Sequence, residues 1–224
     1  MLLRLLLRYA AVVLALSLAP AARASGGDYV IVGGTLAEQS QVKAALDASS
    51  FDWNLVPVTV TIHIARNIPM SYSTPGQTWL DANLLDAGTF SWGVIQMEYA
   101  QQVQITTLDS QAHSELTSML GAQQWCYDDP TLPRGDNACE RFAAMLAWSY
   151  WPSAENSMRP AGPSDWSASM SPEAFRTLLS QLIGAPDLVD GPTPLAAVRT
   201  MTAESGAQGA GAAATPVTGT QKPR

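Results

Sequence analysis

Histidine and cysteine are scarce in this chain, two of each in 224 residues, and charged side chains make up only 14% of it. Two histidines, His63 and His113, leave few ways to assemble an ordinary imidazole-rich metal site or a Ser-His-Asp triad. No G-x-S-x-G sequence occurs, so the nucleophile elbow of a serine hydrolase is missing as well. Basic residues are short too. Lys+Arg is 12 against 19 Asp+Glu, which gives a net charge of −7 and a pI near 4.7. A general nucleic-acid binder needs a basic surface, and this balance argues against one. Apolar side chains, in contrast, make up 47% of the chain. That is ample for one packed domain with tails and rules out wholesale disorder.

Residues 1–24 read as a secretory signal. Arg4 and Arg8 come early, an apolar run follows, and Ala22-Arg23-Ala24 supplies a small-residue cleavage site. The uncharged run over residues 9–22 is 14 residues long and holds Pro20, short of the ~20 residues a spanning helix needs. Cleavage removes three arginines and no acid, taking the net charge from −7 to −10. The mature protein is then expected to be exported, with no membrane span of its own. Export places Cys126 and Cys139 in an oxidising compartment, on either side of a polar, turn-rich loop that a disulfide would staple. The alternative is a pair of buried thiols, because two cysteines with no histidine nearby make a poor metal site.

The pattern of residues 25–184 predicts one α+β domain. Residues 28–32 (DYVIV) form a short strand that Gly33 and Gly34 break. Thr35, with Glu38 three residues on, opens a helix through a capping box, and the helix ends near Ser49. Residues 56–65 alternate, with Val58, Val60, Ile62 and Ile64 facing inward and His63 outward. Residues 67–76 hold two prolines and read as a loop, and Gln77–Asp81 as another strand. Helices are then expected over residues 90–108 (with Ser91 or Thr89 able to cap), 110–120 and 138–150. A last one begins at Ser171-Pro172-Glu173 and ends at Gly184. From residue 185 the composition shifts. Residues 204–224 hold almost no large apolar side chain, so residues 185–224 are read as a low-complexity, disordered tail.

The chemistry-bearing stretch is Met97-Glu98-Tyr99-Ala100-Gln101. In the H-E-x-x-H motif two histidines at i and i+4 share one helix face and one zinc, and the Glu between them is general base toward the zinc-bound water. Here the Glu is present and both histidine positions are replaced.

The blocks around this stretch resemble a family of secreted actinobacterial zincin-like proteins. In that family the helix reads close to WGVxQHEYAHQV, preceded by WLDAxLLDAG and followed by WC…ERFAxxLAWxYWPS. The matching segments are residues 79–88, 92–103, 125–126 and 140–153, together with residues 31–34, 51–53 and 58–64. The resemblance covers roughly residues 28–153. It implies a small metallopeptidase-type α+β domain: a short mixed sheet with a backing helix and an active-site helix on one face, then a helical C-terminal part. It places a cleft between the Gln77–Asp81 strand, taken as the sheet edge, and the active-site helix, with Trp79 and Tyr99 as cleft residues. Glu140 falls where the third, carboxylate ligand comes from a later helix.

This chain departs from the family at the metal. Met97 offers a thioether, Gln101 a neutral carbonyl oxygen, and Gln104 stands where the family pattern carries an acid. Without an acidified water Glu98 is a vestigial general base. His63 and His113 are both expected at the surface, away from the site. The expectation is therefore a degenerate metallopeptidase homologue, a pseudoenzyme that binds no zinc. It would act on a peptide or protein ligand as a binding module, or as a structural domain. The alternative is an active zinc- or other metal-dependent peptidase with an atypical site.

Overall fold

A computed structural model describes residues 27–185; the leader read over residues 1–24 and the tail beyond residue 185 lie outside it. The domain is α+β. Strands β1 (Tyr29–Gly33), β2 (Val60–Ala65), β3 (Tyr72–Thr74) and β4 (Gln77–Asp81) form one mixed sheet in the order β1-β2-β4-β3. β1, β2 and β4 are parallel, and β3 runs antiparallel along the edge. Among the described residues six α-helices accompany the sheet: α1 (Leu36–Ala48), α2 (Ala82–Leu85), α3 (Trp92–Thr107), α4 (Ser110–Met119), α5 (Ala138–Tyr150) and α6 (Pro172–Ile183).

The helix ends follow local chemistry. Thr35 and Glu38 make the reciprocal capping box of α1, and Ser49 ends that helix. Ser171 caps α6 through the Ala174 amide with Pro172 at its start, and Gly184 closes it at φ 69. The α3 start differs from expectation, because Ser91 does not cap it. Its hydroxyl donates to the Gly88 carbonyl, and a 3₁₀ turn over Gly88–Ser91 feeds the helix instead. Phe90 is exposed in that turn.

Layers stack outward from the sheet. Val60, Ile62, Ile64 and Leu80 point from it into the core, against α1 and α3. α5 packs on the far side of α3, and α6 on α5. α3 is thus covered on two sides, and residues 95 through 104 are all buried. A helix in that position keeps no solvent face to give it an amphipathic pattern. Gly93 lets the chain cross it: a Cβ there would lie 2.3 Å from Asn156 Oδ1 and 2.6 Å from Ser157 Oγ. Edge-to-face ring contacts then tie the layers together, in the sequence Tyr29, Tyr99, Trp53, Phe51, Tyr150.

Three expectations need correction. Gln77–Asp81 is not the sheet edge, because a third strand forms between Pro69 and Pro75 and pairs outside it. Proline at either end of a segment permits a three-residue edge strand between them, which a proline-based loop reading misses. Gln102 locks that hairpin: its amide donates to the Thr74 and Gln77 carbonyls at 2.9 Å each and accepts from the Gly76 amide at 2.9 Å. Val58 is exposed, since β2 begins only at Val60. Tyr99 is buried in the ring chain of the core, and Trp79 lies on the outer sheet face, stacked between His63 and Tyr72. Neither borders the cavities beside Glu98 that the described residues form.

Candidate functional site

The loop between Gln123 and Asn137 is organised by one buried amide. Asn137 Oδ1 accepts from the Tyr127 amide at 2.8 Å and from Gln124 Nε2 at 2.6 Å, while its Nδ2 donates to the carbonyls of Pro133 (3.2 Å) and Arg134 (3.1 Å). Tyr127 is held at φ 56, a left-handed conformation that costs a residue with a Cβ about 1 kcal/mol or more. The Cys126–Cys139 disulfide, with Cα atoms 5.4 Å apart, fastens this loop to the first turn of α5. Glu140 follows directly, and the loop delivers a partner to each of its oxygens. The Tyr127 hydroxyl donates to Oε1, and Arg134 Nε lies 2.8 Å from Oε2 as an ion pair.

The same guanidinium reaches across to α3. Arg134 Nη2 is 3.3 Å from Glu98 Oε1, while Ser73 Oγ on β3 lies 2.7 Å from the Glu98 carbonyl oxygen and 3.3 Å from Oε2. One arginine therefore bridges two buried carboxylates from two helices, Glu98 and Glu140. Burial pushes the Glu98 carboxyl up to about 7, with Glu140 adding to the rise and Arg134 and Ser73 opposing it. Burial pulls Arg134 down, but the Glu140 and Glu98 carboxylates outweigh it and hold the guanidinium above its ordinary range. Burial and the Glu140 carboxylate raise the Tyr127 phenol.

Glu98 and Glu140, proposed from sequence as base and ligand position, are thus brought together. The other two positions do not join them as ligands. Met97 is 2% exposed and belongs to the hydrophobic core. Gln101 borders the site, but its Oε1 accepts a hydrogen bond from Gln104 Nε2. Among the described residues no group of three His, Cys, Asp or Glu side chains is placed to hold a metal. The donors do not fit zinc: a core thioether, an engaged amide oxygen and a carboxylate already paired with a guanidinium. The positive charge between the two acids comes from Arg134. Sequence reasoning passed over this residue because it lies in an irregular loop 36 positions from Glu98.

His113 also corrects the sequence reading. It stacks on Trp125 with ring centroids 4.1 Å apart and lines the cavity beside the site. His63 is on the outer sheet face as expected, stacked on Trp79 and 3.1 Å from Gln77 Oε1.

Two adjoining cavities, about 440 and 240 Å³, share Met70, Ser71, Glu98 and Arg134 as walls. The smaller runs toward Leu84 and Val94, the larger toward Ile105, Trp125 and Tyr127. Together they form a groove with Glu98 and Arg134 at its middle and β3 along one side. Comparison of the chain with protein-family models, with curated proteins and with solved structures finds no match.

Proposed function

We propose that this protein is an exported, metal-free, zincin-like binding module that takes an extended peptide segment in the groove between β3 and the loop carrying Arg134. The observation that carries the reading is the pair of adjoining cavities beside an edge strand. Among the described residues β3 pairs with β4 alone, so its other edge is open to a bound chain. Cavities on either side of the Glu98–Arg134 pair would receive alternate side chains. Export is supported by the signal-like residues 1–24 and by the disulfide, and no helix among the described residues is long and apolar enough to cross a membrane. Loss of peptidase chemistry is supported by Arg134. Its guanidinium stands between Glu98 and Glu140, so Glu98 faces a fixed cation and has no metal-activated water to deprotonate.

The test is binding of N-acetylated, C-amidated random hexapeptides by fluorescence anisotropy, with Ile105→Glu as the groove variant. Ile105 is partly exposed on the cavity wall, so the change should spare the fold. Saturable binding by the wild type, lost in a variant of unchanged melting temperature, is the expected result. No binding to any pool, or equal binding by the variant, would overturn the reading.

A further inference from the structure

We infer that the larger cavity is a pocket for a basic side chain, lysine or arginine, of the bound peptide; this rests on the peptide-binding reading above. The charge count around the cavity points that way. Its acids are Glu98 and Glu140, and its one arginine, Arg134, is spent on both of them. Among the described residues no lysine lines it, and His113 is stacked on Trp125. With Glu98 ionised, two carboxylates against one guanidinium leave a negative surplus, and a cation entering beside Glu98 favours that form.

A second observation is independent of the acids. Gln104 lines the same cavity and is 3% exposed, yet its Oε1 has no hydrogen-bond partner among the described residues. Its Nε2 is engaged, donating to Gln101 Oε1 and, at 3.4 Å, to the Cys139 carbonyl. Buried acceptors are normally satisfied, and an orphan in a cavity wall asks for a donor. Lysine brings three donors and arginine five, and neither brings an acceptor that would compete for the same groups. The walls suit the rest of such a side chain. Tyr72, Ile105, Trp125 and Tyr127 cover an aliphatic stem, and aromatic rings attract its charged end. An acidic side chain would meet two carboxylates. An apolar one would bring the Gln104 oxygen no donor. Arg134 itself demonstrates that Glu98 and Glu140 accept a guanidinium.

The experiment uses four hexapeptide pools, N-acetylated and C-amidated, with random flanks and a fixed third residue: lysine, arginine, norleucine or glutamate. The lysine or arginine pool should bind about tenfold tighter than norleucine, the scale of one charge-assisted hydrogen bond. That advantage should shrink between about 50 and about 500 mM NaCl, as screening requires. Gln104→Leu should cut the basic-side-chain advantage over norleucine severalfold. Norleucine binding as tight as lysine, or glutamate binding tightest, would overturn the inference and leave the peptide reading standing. So would an unchanged lysine advantage in a folded Gln104→Leu protein. If no pool binds the wild type, the peptide reading itself fails and takes the pocket assignment with it.

Discussion

Replacing Arg134 with methionine keeps the aliphatic stem and removes the one cation between Glu98 and Glu140. Those side chains are 2% and 3% exposed. Deleting one partner of a buried ion pair costs about 3–5 kcal/mol. Two features of the site bring the figure down. Arg134 is itself about a third exposed, at 34%, so water takes over part of its role. Glu98, already raised to about 7, can take up a proton near neutrality for well under ~1 kcal/mol. The remaining loss belongs to Glu140, left with only the Tyr127 hydroxyl, and we expect about 2–3 kcal/mol at pH 7.5. For a domain of this size that corresponds to a melting temperature lower by roughly 5–10 °C. Urea unfolding followed by tryptophan fluorescence measures it directly. Adding Glu98→Gln and Glu140→Gln to Arg134→Met removes the stranded charges and should restore more than half of the loss. A single-variant loss below about 1 kcal/mol, or a triple variant no more stable than the single, would refute the claim that Arg134 neutralises this site.

Three further outcomes follow from the same geometry. The Glu98 carboxyl is raised from 4.5 to about 7 in the folded protein, so its contribution is full below pH 4.5 and is lost as pH climbs through 7. The wild type should lose up to about 3 kcal/mol from this group between pH 5 and pH 8, and Glu98→Gln should flatten that slope; an unchanged slope in the variant would contradict the assignment. Reducing the Cys126–Cys139 bond should raise the mass by about 2 Da and lower stability by roughly 3 kcal/mol, the entropy of the loop it closes; a melting temperature indifferent to reductant would count against it. Replacing Met97 and Gln101 together with histidine should fail to create a zinc site, because position 97 faces the core and Arg134 still holds Glu140. The double variant should melt lower, through a buried imidazole without a partner. One-to-one zinc binding by calorimetry with Arg134 intact would show that this view of the site is wrong.

Local signals in the sequence located most of the elements. Thr35 with Glu38, Ser171 with Pro172, and Gly184 are contacts within one turn of chain, so their spacing alone determines where α1 and α6 begin and α6 ends. The alternation of Val60, Ile62 and Ile64 likewise marks β2 and its buried face. The proximity of Glu98 and Glu140 was legible only through a family resemblance, since nothing in either residue's neighbourhood points to the other. The tertiary structure alone decided the rest. It made an edge strand of a proline-flanked stretch, because Gln102 on α3 supplies the hydrogen bonds that hold the hairpin of β3 and β4. It drew Tyr99 into the core and Trp79 onto the outer face of the sheet, because a helix buried on two sides and an interior strand direct those rings away from the groove. It also brought Arg134 between two acids that lie 36 and 6 residues away along the chain. Capping and periodicity act over a few residues and can be read in order. Charge pairing in a buried site acts through space, and its partners are set by the packing of loop against helix, which no spacing along this chain encodes.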